Sequence, residues 1–141
     1  MSKIQDPSRF LRYALRGNAI FSALSAVLFL AGSAAVAGFV GALGAADVSR
    51  LGVQLAVFAI WLTWLSRRPE IPRWQVWTVV TLDALWVVGS LAALLAPPAG
   101  LTTGGKIGIA AVALVVADFA VLQALGARKL QKVDLALGAV S

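Results

Sequence analysis

The sequence predicts an all-α fold, a four-helix transmembrane bundle with both the N-terminus and the C-terminus in the cytoplasm. Three observations predict it. Of 141 residues, 60% are hydrophobic and only 13% charged, against about 45–50% and about 25% in soluble domains. The apolar residues gather in four runs, each near the roughly 20 residues that a bilayer core requires. Basic residues collect at alternate ends of those runs. A soluble domain of this size leaves too much surface exposed to hide so much apolar area, so lipid is the expected solvent.

Span one is placed at 18–42. Ahead of it, Asp6-Pro7 reads as a helix start with proline in the first turn. Arg9, Arg12 and Arg16 follow at helical spacing, so this segment either lies at the headgroups or continues the span into water. Ala35-Val36-Ala37 before Gly38 has the form of a signal-peptide cleavage site. The apolar run continues past it, and counting it as a span keeps every charge on its expected side, so retention is expected. Small residues recur every four positions as Ser33, Ala37 and Gly41 and as Ala34, Gly38 and Ala42. Such rows allow close helix approach, within the chain or between copies.

Span two is placed at 48–65 with Asp47 as its N-cap. The run Arg67-Arg68-Pro69-Glu70-Ile71-Pro72-Arg73 breaks it from span three, at 74–96, which Pro97-Pro98-Ala99-Gly100 closes. Thr103 is the expected N-cap of span four, at 106–126, whose Gly104 and Gly108 form another small row. Residues 127–141 read as a tail. Connections this short leave room for one membrane domain, 1–141, with successive spans antiparallel and packed as a compact bundle.

Orientation follows from the basic residues. Lys3, Arg9, Arg12, Arg16, Arg67, Arg68, Arg73, Arg128, Lys129 and Lys132 share one side, and only Arg50 and Lys106 take the other. Ten against two, alternating correctly, assigns the richer side to the cytoplasm, most simply of a bacterial inner membrane. Trp61, Trp64, Trp74 and Trp77 then fall in an aromatic belt at that side. The net charge of +6 thus reports topology rather than nucleic-acid binding.

Composition also narrows the chemistry. There is no cysteine and no histidine, and Met1 is the only methionine, which excludes disulfides and thiol catalysis and argues against structural zinc and soft-metal sites. No Ser–His pairing, HExxH or phosphate-cradling loop is present. Two aspartates fit intramembrane aspartyl catalysis superficially. That family's signature sets a Gly beside one Asp and uses more spans, and neither holds here. No enzyme activity, cofactor or metal is expected.

Two intramembrane carboxylates carry the candidate site. Asp83 lies about 14 Å in from Trp74, and Asp118 about 12 Å in from Gly126, so both should share a depth on adjacent antiparallel helices. Each costs roughly 2.5–3.5 kcal/mol to insert, against about 0.3–0.6 gained per Leu, Ile, Val or Phe. Spans three and four each hold ten of those residues, so both still insert. The cost predicts that both carboxylates turn into the bundle. Asn18, Ser22 and Ser25 follow one stripe of span one, and Trp86 and Ser90 share the Asp83 face, so all five are candidate members of a polar cluster. Thr81 and Gln123 are further polar neighbours. No basic residue lies near mid-depth within a span, so the cluster should be hydrogen-bonded rather than ion-paired.

The stretches Arg16-Gly17-Asn18-Ala19-Ile20-Phe21-Ser22-Ala23-Leu24-Ser25 and Asp83-Ala84-Leu85-Trp86-Val87-Val88-Gly89-Ser90 resemble a family of uncharacterised small bacterial four-span membrane proteins. The resemblance covers nearly the whole chain. It implies a four-span fold and a bacterial origin, with no activity to carry over. In size and span count the chain is also similar to small multidrug-resistance exporters. Their essential acidic residue lies in the first span, and span one here has none.

These readings leave three expectations for function. The first is a non-enzymatic membrane protein whose polar cluster holds the bundle together, acting as an accessory or scaffold subunit, with other membrane subunits or further copies of itself as partners. The second is a small proton-linked transporter using Asp83 and Asp118. The third is a binder of a lipid or other hydrophobic ligand.

Overall fold

A computed structural model describes residues 7–140, so Lys3 and Asp6 lie outside the described residues. The chain forms α1 (Pro7–Ala31), α2 (Ser33–Val40), α3 (Ala45–Arg67), α4 (Arg73–Leu95) and α5 (Thr103–Val140). Four of these, α1, α3, α4 and α5, are long and apolar enough to cross a membrane. The molecule is a multi-pass helical membrane protein.

Span one is two helices. The Gly32-Ser33 pair bends it, as Gly/Ser pairs commonly do, although the Gly32 N–H still reaches the Leu28 carbonyl at 2.8 Å. Gly41 ends α2 in the left-handed region, at φ 82°, where a side chain would be strained. The similar Gly89-Ser90 pair leaves α4 unbroken.

The caps differ from the expected ones by a few positions. Gly44, not Asp47, is the N-cap of α3; Asp47 sits inside the first turn and accepts the Gly44 N–H at 3.2 Å. Thr102, not Thr103, caps α5, its hydroxyl accepting the Gly105 N–H at 2.9 Å. The same hydroxyl donates to the Phe39 carbonyl, so this cap also latches the end of α2 to the start of α5.

Residues 127–140 are a helix rather than a tail. They are rich in Ala, Leu, Lys, Arg and Gln and lack proline, which suits helix continuation. At 38 residues, α5 is about 57 Å long, well beyond the roughly 30 Å hydrocarbon core. Its protruding part meets Arg73 through Asp134 at 4.0 Å, an exposed pair of little energetic weight. At the other terminus, α1 is continuous from Pro7, so the arginine-bearing segment extends span one rather than forming a separate helix.

Packing runs α3–α1–α5–α4, with α2 against α3 and α5. Successive spans were expected to pack together, yet the α3 and α4 backbones stay apart and the two helices share only a side-chain core. The reason is that α1 inserts between them. Leu11, Leu15 and Ala19 of α1 form the core with Leu62 and Leu65 of α3, Val76 and Val79 of α4, and Ala127 of α5. Arg12 reinforces this wedge by donating to the carbonyls of Ser66 (2.8 Å), Arg68 (2.6 Å) and Pro69 (2.9 Å). These contacts set the start of α1, the α3–α4 turn and the end of α5 at one end of the bundle, here the basic end. Trp64, Trp74 and Trp77 are exposed there, while Trp61 packs against the core.

Candidate functional site

The site lies next to the apolar core of the basic half, and three helices build it. On α4, Val76, Val79 and Asp83 occupy one buried face. On α1, Leu11, Leu15, Asn18 and Ser22 recur every three or four residues and are all buried. On α5 the buried stripe is Ala113, Val116, Gln123 and Ala127. Each stripe puts one polar side chain at the same level, and these meet on the bundle axis.

Asp83 is the hub and is only 4% exposed. Its Oδ2 accepts the amide of Asn18 at 2.8 Å and that of Gln123 at 2.8 Å. Gln123 Nε2 also donates to the Phe119 carbonyl at 2.8 Å. Asn18 Nδ2 makes a longer contact with Gln123 Oε1 at 3.4 Å, and the Ser22 hydroxyl donates to Asn18 Oδ1 at 3.3 Å. No hydrocarbon-facing atom could replace these donors, because lipid offers none. The cluster therefore adds a polar tie between α1 and α4, whose only other meeting is through apolar side chains of the core. Close packing around it is helped by Gly17, where a Cβ would come within 3.0 Å of the Phe119 ring.

The structure thus brings together Asn18, Ser22 and Asp83 from the sequence-based candidates, and adds Gln123 as a full member. Ser25 is half-buried one turn beyond Ser22 and makes no hydrogen bond in the cluster. Trp86 and Ser90 do share the Asp83 face. The Ser90 hydroxyl donates to the Trp86 carbonyl at 2.8 Å, and the Trp86 indole Nε1 is buried without a partner. Thr81 only back-bonds to the Trp77 carbonyl at 2.8 Å.

Asp118 is elsewhere. It was expected to turn inward beside Asp83, and it is exposed on the outer face of α5. The angular position explains this: Asp118 follows the buried Val116 by two residues, about 200° around a helix. Gln123 follows Val116 by seven residues, back on the same face. Depth alone suggested the wrong partner for Asp83, and the stripe would have named Gln123. The paired carboxylates on which proton relay was based are therefore not paired.

Among the described residues no group of three or more His, Cys, Asp or Glu side chains could hold a metal ion. No obvious catalytic constellation is present among them either. Beyond the polar cluster, toward the far end, an apolar cavity of about 730 Å³ is lined by residues of all five helices, among them Leu28 and Phe29 of α1. No family model matches the chain, and neither a curated protein nor a solved structure does.

Proposed function

We propose that this chain is a non-enzymatic subunit of a bacterial inner-membrane complex, its Asp83 cluster holding the bundle while the outer face of α5 docks another membrane helix. The observation that carries this reading is the carboxylate of Asp118, exposed in the middle of a membrane-spanning helix. Exposed leucine and valine are what lipid requires of a span; an exposed aspartate is not. Its side chain is too short to reach the headgroups, about 12 Å away along the helix.

The surroundings of Asp118 support docking. Ile107, Ala111, Leu114, Asp118, Val121 and Leu125 alternate at intervals of four and three, and all are exposed. This is the seam pattern of helix pairs, with one polar residue at its centre to fix register. Intramembrane polar groups of this kind associate helices by hydrogen bonding where no hydrophobic drive exists. The cytoplasmic placement of the basic end belongs to the same proposal and is supported by the charge asymmetry.

The test is purification of wild type and Asp118→Leu from native membranes in a mild detergent, with mass measured on the intact assemblies. Wild type should carry stoichiometric partner chains or further copies of itself, and Asp118→Leu should lose them. Wild type and variant both running as bare monomers would end the proposal.

A further inference from the structure

A groove of about 550 Å³ runs down the outer side of the α1–α3 pair, and its chemistry changes along its length. Ala26 and Ala59 form a buried floor, small side chains that let the two backbones approach closely. Val27, Ile60 and Trp64 stand exposed as its rims. An apolar floor between such rims has the shape of a single acyl chain.

The two ends of the groove differ. Toward the far end Leu30 closes it, packed so tightly on Gly52 that a Cβ there would come within 2.9 Å of Leu30. At the basic end the lining finishes at Arg67. From Ala56 to Arg67 is about 16 Å along α3, and one leaflet of a roughly 30 Å core is about 15 Å deep. The groove therefore matches the chain of one leaflet, with a cation at headgroup level. A second cation flanks the mouth. Arg16 heads the exposed α1 stripe that continues through Ile20, Ala23 and Val27. Arg12 meets the Ser66 carbonyl and Leu30 meets Gly52, a register that sets Arg16 about level with Trp64, one turn deeper than Arg67. Arg16 and Arg67 are both exposed. Among the described residues neither enters an ion pair; the pairs present are Arg50–Asp47 and Arg73–Asp134.

Guanidinium groups match the oxygens of a phosphate in geometry and charge. A headgroup that also carries an ammonium would bring a further cation to this mouth, so the charge selects one that has none. We infer that the groove is a binding site for one anionic phospholipid of the basic-end leaflet, its phosphate at Arg67 and Arg16 and one acyl chain over Ala59 and Ala26. The Arg68 guanidinium, 4.9 Å from the centre of the Trp64 ring, steadies that rim and adds to the positive field.

The test places the protein in nanodiscs of equal phosphatidylglycerol and phosphatidylcholine, and identifies the lipids retained on it by native mass spectrometry. Wild type should keep one phosphatidylglycerol, preferred over phosphatidylcholine at least about fivefold. Arg67→Gln should lower that preference about fivefold. Arg73→Gln removes an equal charge from the same end, outside the groove, and should leave the preference within about twofold of wild type. Ala23→Phe fills the groove from the exposed side of α1 and should abolish retention of this lipid, while the variant still elutes as the wild type does. No preference in wild type, or equal losses in Arg67→Gln and Arg73→Gln, would overturn the site and leave only a general attraction of the basic end. Retention unchanged by Ala23→Phe would overturn the groove as the lipid's seat.

Discussion

The sharpest stability prediction concerns the Asn18–Asp83 pair. Asp83 Oδ2 receives two amide donors at 2.8 Å, one from α1 and one from α5. In Asp83→Ala both lose their acceptor. Gln123 keeps the Phe119 carbonyl, and Asn18 keeps only the long 3.4 Å contact with Gln123. An unsatisfied buried donor costs about 1–3 kcal/mol. One full loss and one partial loss therefore give about 2–4 kcal/mol for Asp83→Ala. The pairwise part is smaller, because side chains in an unfolded membrane-bound state also find partners; measured couplings between membrane helices average about 0.6 kcal/mol and reach about 1.7. Unfolding in bicelles by titration with sodium dodecyl sulfate, on Asn18→Ala, Asp83→Ala and the double variant, yields the coupling directly. A value in the upper half of that range is expected, since the bond is short and fully buried. Additive effects, with coupling below about 0.3 kcal/mol, would refute the claim that this bond ties α1 to α4.

Two further perturbations probe the frame around the site. Arg12→Met should cost about 1.5–3 kcal/mol in the same titration, because three carbonyls at the α3–α4 turn lose their donor, and hydrogen exchange should rise at 66–72; unchanged exchange there would contradict the wedge. Gly105→Ala should destabilise by about 1–3 kcal/mol, since its Cβ would approach the Val40 carbonyl oxygen to 2.7 Å, whereas Gly38→Ala, with open space at its Cβ, should be neutral or slightly stabilising.

Much of the architecture was legible in the residues because lipid imposes a simple rule: spans must be apolar and their backbones helical. The bounds of α3 and α4 follow within a few positions from hydropathy and from the prolines at 69, 72, 97 and 98. Asp83, Trp86 and Ser90 were placed on one face by their spacing alone. What failed was information that a single helix does not contain. Short connections imply adjacency, yet α1 parts α3 from α4 through Leu11, Leu15 and Arg12. Ser33 reads as part of a small-residue row and proves to sit, with Gly32, at a bend. Residues 127–140 looked too mixed to be structured, although their propensities favour helix. Asp118 was assigned by depth without its angle, and the same arithmetic overlooked that Gln123 shares the stripe of Val116 and Ala127.

Of the two intramembrane carboxylates, Asp83 is sealed inside the chain and Asp118 lies on its outer face. Dicyclohexylcarbodiimide, an apolar reagent that partitions into the bilayer and converts accessible carboxyl groups to N-acylureas, tests this arrangement most directly on monomeric protein in detergent. The adduct should map to Asp118, leaving Asp83 unmodified beneath Asn18 and Gln123. Modification of Asp83 equal to or exceeding that of Asp118 would contradict the account.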